Sequence, residues 1–188
     1  MAIKIFIDQG HNPVNPNAGA EANGIREQDV NYQVGVRLAA LLNSNPNFEA
    51  RLSRNTPTEQ LGTSVTTSLQ ARVNAANSWP ADFFISLHCN ISEILTASGS
   101  EAYVYSSNSQ AYNMAVRILE GLHNATGLPN RGVTATTHLY VLRNTSMPAV
   151  LVEMGYLSNP RDAQLLSTDP QSFARGIYNG ILAYYGLS

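Results

Sequence analysis

Apolar positions along this chain follow two different periods. Runs such as IKIFID (3–8) and DFFISLH (82–88) are apolar over a strand's length, whereas 27–43 places Val30, Val34, Leu38 and Leu41 at helical spacing. The pattern predicts strands at 3–8, 48–53, 82–88, 101–105, 138–143 and 148–154. It predicts helices over 27–43, with Glu27 in the opening turn, over 68–78, behind a Thr67/Gln70 capping-box pattern, and over 108–126, ending at Gly127. The sequences NPRD and DPQS each set an N-cap residue before a proline at the first helical position, and a last helix carries Phe173, Ile177 and Ile181 up to Gly186. Strands alternating with helices imply an α/β domain. No repeat, low-complexity tract or linker interrupts it, so 1–188 reads as a single domain.

Composition narrows the function classes. A chain of 188 residues can bury a full core without staples. Its net charge of −2 is scattered, which gives no footprint for nucleic acid or anionic lipid. No window approaches the roughly 20 apolar residues of a membrane span. Charged residues make up only 13% of the chain, and Asn, Ser and Thr fill the surface instead, a composition compatible with extracellular life. Cys89 stands alone, so no intrachain disulfide is expected. No basic-then-apolar leader precedes the first strand, and nothing demands more than a monomer.

At four places polar residues sit where a packed strand or a simple turn does not call for them. His11 follows the first strand, Glu27 opens a helix after a long loop, His88 and Asn90 end DFFISLHCN, and Glu153 interrupts the apolar run of MPAVLVEMGYLSN. Each has a plain structural explanation when taken alone. A histidine can end a strand, Glu27 can complement a helix dipole, and Glu153 can pair with Arg131 or Arg143, since an unpaired buried carboxylate is costly. Taken together, two histidines and a carboxylate make the open three-ligand set of a catalytic zinc. A further carboxylate then supplies the general base of a zinc hydrolase. Spacing alone does not establish the site, because the residues are far apart and no H-E-x-x-H motif is present. Strand alternation turns Cys89 away from the face of His88, toward the core. His123, on a helix, and His138, opening a strand, lack convergent acids.

These residues carry a resemblance. The segments IFIDQGHN, NGIREQDVN, LSRNT, QARVNAAN, ADFFISLHCN, NRGV and LYVLRNTSMPAVLVEMGYLSNPRDAQLL resemble, in order, the zinc-dependent N-acetylmuramoyl-L-alanine amidases of the Amidase_3 family. The resemblance implies a six-stranded, mostly parallel sheet flanked by helices on both faces. It also implies one zinc ion held by His11, Glu27 and His88, with Glu153 as the catalytic acid/base. Asn90 matches a position beside the active site, a candidate substrate contact, and Asp8 is a candidate for orienting a zinc ligand. The implied reaction cuts the amide between the lactyl group of N-acetylmuramic acid and L-alanine of the peptidoglycan stem peptide, placing the protein outside the cytoplasm, at the cell wall. The chain has DQGHN and HCN where such amidases commonly show D-P-G-H-G and H-A-N or H-S-N; neither change removes a ligand. The segment ISEILTAS is too short for the inhibitory helix of some relatives, so an open site is expected. Two rivals remain: a non-catalytic peptidoglycan-binding module, which has no use for Glu153, and a zinc peptidase cutting within the stem peptide.

Overall fold

The computed structural model describes residues 2–187, so Met1 and Ser188 of the expected domain lie outside it. In chain order the elements are β1 (Ile3–Gln9), β2 (Glu21–Ala22), β3 (Ile25–Arg26), α1 (Glu27–Asn43), β4 (Phe48–Leu52), α2 (Val65–Ser78) and β5 (Phe83–Asn90). They continue with β6 (Ser100–Val104), α3 (Gln110–Thr126), β7 (Asn130–Ala135), α4 (Tyr140–Asn144), β8 (Ala149–Tyr156), α5 (Pro160–Thr168) and α6 (Pro170–Tyr185). Six strands form one sheet in the order β4-β1-β5-β8-β6-β7, and β2 pairs with β3 in a small hairpin. Strands β4, β1, β5 and β8 run parallel, β6 runs antiparallel to β8, and β7 follows β6. The carboxyl ends of β1, β5 and β8 therefore share an edge with the amino ends of β6 and β7. The chain leaves β1 in one direction to reach β4 and returns on the other side to β5. That reversal is the switch point where open α/β sheets bind ligands.

The period of two on each strand divides the core. On β5, Ile85, Leu87 and Cys89 face a large apolar cluster built with α1, α3 and α6. Phe84 on the other face joins Phe6, Leu151 and residues of α2 and α4 in a smaller cluster. That second face changes character along the strands. It is apolar at Phe6, Phe84 and Ala149, then polar at Asp8, Ser86, His88 and Glu153 as the strands reach their carboxyl ends.

The expected mixed sheet with helices on both faces is present, but its sixth strand lies elsewhere. HLYVLR, read as a strand at 138–143, contributes the short helix α4, whose adjacent Val141 and Leu142 are both buried, as one helical turn permits. The strand is instead β7, NRGVTA, on the open edge of the sheet. Because that edge is partly exposed on both faces, no apolar alternation marks it. His138 lies in the loop before α4, exposed, and His123 is exposed on α3. Helix α2 also starts earlier than expected. Its capping box is Ser64 with Thr67, the Ser64 hydroxyl accepting from Thr67 N at 3.1 Å and the Thr67 hydroxyl accepting from Ser64 N at 2.9 Å. Ser64→Ala is expected to cost about 1 kcal/mol, a fall in melting temperature of about 2–4 °C for a domain of this size. An unchanged calorimetric melt would show the cap to be idle.

Candidate metal centre

Strand β1 ends at Gln9, and the chain then turns sharply through Gly10 and His11. His11 adopts a left-handed backbone (φ 69°), a conformation few non-glycine residues hold without help. Help comes from Arg72 of α2, whose Nη2 donates to the His11 carbonyl at 2.7 Å and whose Nη1 donates to the Gln9 carbonyl at 2.6 Å. Gly10 has to be glycine for a different reason. A Cβ there would stand 2.5 Å from Cε1 and Nε2 of His88, so the bare backbone makes room for the second imidazole.

Glu27 arrives from another direction, as the first residue of α1, where a carboxylate complements the helix dipole. Its Oε1 accepts from Cys89 N at 3.1 Å and stands 3.0 Å from His88 Nδ1 and 3.2 Å from His11 Nε2. Its Oε2 accepts from Ala20 N at 2.9 Å. Burial raises the proton affinity of this carboxyl, but hydrogen bonds from His11 and His88, with the charge of both rings, outweigh it and hold Glu27 well below the usual carboxylate range. His88 responds in the opposite sense. Burial lowers its pKa, while the bond to Glu27 and the charges of Glu153, Glu27 and Asp8 raise it overall.

The donor atoms of His11, Glu27 and His88 all lie within 4.8 Å of one another, and this group could hold a metal ion. Two imidazoles and a carboxylate are a donor set suited to a borderline cation such as zinc. The ring of His11 also carries a buried Nδ1 with no hydrogen-bond partner in the structure. A buried, unpaired ring nitrogen beside two other donors fits a group that a cation completes. Cys89 offers only its backbone N–H, for its side chain is buried on the far face and burial pushes its thiol pKa up.

Glu153 stands beside this group. On β8 it is the register partner of His88 on β5, and on its other side it faces Glu101 of β6. The ion pairs with Arg131 or Arg143 do not form. Arg131 stands by Glu101 at 3.7 Å, and Oε2 of Glu153 is buried without a partner. Burial pushes the Glu153 carboxyl up, the charge of His88 pulls it partly back, and Glu27 and Glu101 add to the rise, for a pKa of about 7. A carboxyl poised there can both take and return a proton near neutral pH.

The remaining candidates have settled places. Asn90 is turned into the sheet edge, its Nδ2 donating to Glu101. Asp8 is fully buried and contacts neither imidazole among the described hydrogen bonds. Its oxygens accept from Arg72 Nη1 at 2.6 Å and Ser86 Oγ at 2.7 Å, so it reaches His11 through Arg72. Burial raises the Asp8 pKa, but the charge of Arg72 and the bonds from Arg72 and Ser86 bring it below the usual value. A pocket of about 140 Å³ opens beside the two histidines, lined also by Leu69, Leu139, Tyr140 and Leu151. The segment expected to lack an inhibitory helix, 91–99, is loop throughout. Reasoning from the sequence missed Arg72, Glu101 and the pairing of Arg131 with Glu101, because each gains its meaning from neighbours distant in the chain.

Comparison with known proteins identifies the family of the chain. The profile of Amidase_3, described as N-acetylmuramoyl-L-alanine amidase, matches residues 5–183. The chain is 37% identical to the N-acetylmuramoyl-L-alanine amidase CwlM of Bacillus licheniformis, over 99% of this chain and 70% of that protein. Among solved structures it resembles the catalytic domain of CwlV, an N-acetylmuramoyl-L-alanine amidase from Bacillus (Paenibacillus) polymyxa var. colistinus, with a TM-score of 0.85 and 31% identity over 99% of both chains. It also resembles the CwlD amidase of Clostridioides difficile, solved in complex with the GerS lipoprotein, with a TM-score of 0.89 and 25% identity over 98% of both chains. From β1 to the last helix, the chain belongs to the N-acetylmuramoyl-L-alanine amidase family Amidase_3.

Proposed function

We propose that this protein is a zinc-dependent N-acetylmuramoyl-L-alanine amidase, hydrolysing the amide between the lactyl group of N-acetylmuramic acid and L-alanine of the peptidoglycan stem peptide. The observation that carries the reading is the register of β5 and β8, which sets the carboxyl of Glu153, with one oxygen buried and unpaired, beside a two-histidine, one-carboxylate group. A binding module has no use for that carboxyl. Action on peptidoglycan places the protein at the cell wall, outside the cytoplasm, and no helix among the described residues is long and apolar enough to cross a membrane.

In this mechanism His11, Glu27 and His88 would hold one zinc ion, which when bound would supply Lewis acidity for a carbonyl and lower the pKa of water toward about 7. Glu153 takes a proton from the attacking water and returns it to the departing nitrogen, for which a pKa of about 7 suits it in both directions. Arg72 and Asp8 fix the backbone from which His11 projects, so the donors are in place before substrate arrives.

The test is mass spectrometry of the soluble products after incubation with purified peptidoglycan, with and without a chelator. Free stem peptides with an L-alanine N-terminus, formed only while metal is available, are the expected products. Fragments cut inside the peptide would replace the amidase by a peptidase, and no products at all would leave a binding module.

A further inference from the structure

The side of Glu153 away from the imidazoles carries a second polar group. Glu101 accepts there from Asn90 Nδ2, from the Tyr156 hydroxyl at 3.1 Å and from the Tyr103 hydroxyl at 3.4 Å. Arg131, rooted on β7, leans back over this group. Its Nε stands 3.7 Å from Glu101 Oε2, its guanidinium lies 5.3 Å above the Tyr156 ring, and Nη1 reaches the Ser98 carbonyl at 3.4 Å. The contrast with Arg72 is informative. Arg72 is buried and spends its fork on Asp8 and backbone carbonyls, whereas the Arg131 side chain is 41% exposed and its Nε and Nη2 have no hydrogen-bond partner among the described residues. All three donors reach Glu101 Oε1, and its Oε2 stands 3.7 Å from Arg131 Nε, beyond hydrogen-bond distance, so the ion pair leaves those N–H groups of the guanidinium uncommitted. What remains is a planar cationic fork, stacked on an aromatic ring and facing solvent. That is the geometry that receives a carboxylate in two parallel hydrogen bonds.

The proposed mechanism says which part of the substrate comes near it. Glu153 returns its proton to the departing nitrogen, so the peptide leaves on the Glu153 side, toward β6 and β7. Neighbouring strands are about 4.8 Å apart, which roots Arg131 about 10 Å from β8. Its lean over Tyr156 closes much of that distance. In a stem peptide the residue after L-alanine is joined through its side-chain carboxyl, leaving an α-carboxyl that is either free or amidated. One to two residues of extended chain span about 3.5–7 Å, which brings this group within reach of the Arg131 fork.

We propose that Arg131, stacked on Tyr156 and faced by Glu101, is the subsite for the free α-carboxylate of the second stem residue, so that the enzyme favours stem peptides in which this group is not amidated. The inference rests on the amidase reading, and the experiment keeps the two apart. Two matched muramoyl peptides, differing only in whether that α-carboxyl is free or amidated, are compared by kcat/KM with the zinc-loaded wild type, Arg131→Gln and Arg131→Lys. A charge-assisted bidentate contact predicts a wild-type preference for the free acid of about tenfold or more. Arg131→Gln is expected to bring that ratio close to one, and Arg131→Lys to keep part of it. A residue that only braces the fold would lower both rates and leave the ratio standing. A wild type without preference for the free acid, or a preference that survives in Arg131→Gln, overturns the subsite while the amidase stands. A wild type that cleaves neither peptide overturns the amidase reading, and the subsite with it.

Discussion

Glu153→Gln is expected to lower kcat/KM on peptidoglycan by about 10²–10⁴-fold, the usual contribution of a positioned general base, with zinc still bound. The same substitution is expected to stabilise the metal-free protein at alkaline pH. The carboxyl has a reference value of 4.5 and reaches about 7 in the fold, chiefly through burial. The sign follows from linkage. Between those values the folded chain holds a proton that the unfolded chain has released, so stability falls as pH rises through the window. Below 4.5 the group is neutral in both states and costs nothing; above about 7 the fold carries the full cost of a charged group with one buried, unpaired oxygen. A shift of this size corresponds to about 1–3 kcal/mol, the lower end allowing for solvent that reaches the site. Glutamine fills nearly the same volume and never ionises. Thermal melts of chelator-treated wild type and Glu153→Gln should therefore converge near pH 5 and separate by several degrees near pH 8.5, the mutant melting higher. Parallel curves would mean that Glu153 is not held against its charge, and wild-type turnover in the mutant would remove it from the chemistry. A residue whose loss strengthens the fold and stops the reaction is retained for function.

How much of this was legible beforehand depends on where each signal resides. The apolar runs of β1, β5 and β8 were readable because those strands are buried on both faces, which writes them as continuous hydrophobic stretches. For the same reason His88 and Glu153 stood out, as polar residues inside such runs. The helix ends at Gly127 and Gly186 were readable because both adopt the left-handed conformation glycine tolerates. The hairpin of β2 and β3 left a trace that was not used: Asn23-Gly24, both with positive φ, is a strong two-residue turn signal. Strand β7 left almost none, since an edge strand of polar residues has no buried face to impose a period. Register was not legible at all. Alternation along β8 says which residues share a face with Glu153, but the pairing of Glu153 with His88 and with Glu101 is decided by how whole strands settle against each other. The contacts of Arg72 and Arg131 were hidden for that reason, and Arg131 entered the sequence reading only as one of two alternative partners, with Arg143, for Glu153.

The Asp8–Arg72 pair yields the other large effect. Asp8→Asn is expected to destabilise the protein by about 3–5 kcal/mol, the cost of leaving a buried charge without its partner. Both side chains are 1% exposed, so solvent cannot replace what is lost. Asparagine keeps the shape and can still bond Ser86, which confines the change to the charge. For a domain of this size the loss corresponds to a fall in melting temperature of about 6–20 °C. Its pH dependence distinguishes it from a packing defect. The folded pKa of Asp8 lies below its reference value of 3.8, so the stabilisation is fully present above that value and is lost as pH falls through the folded one. The gap between wild type and Asp8→Asn should be constant from about pH 5 upward and should narrow in acid, where wild type loses the same charge. Function should follow structure here. Arg72 holds the carbonyls of Gln9 and His11, and a guanidinium without its counter-charge holds the strained His11 backbone less firmly. Zinc affinity, measured by competition with a chromogenic chelator, is therefore expected to fall by about 10–100-fold, the usual cost of disturbing the groups that orient a ligand. A mutant that melts like wild type and holds zinc as tightly would show that Asp8 neither anchors the fold nor positions His11.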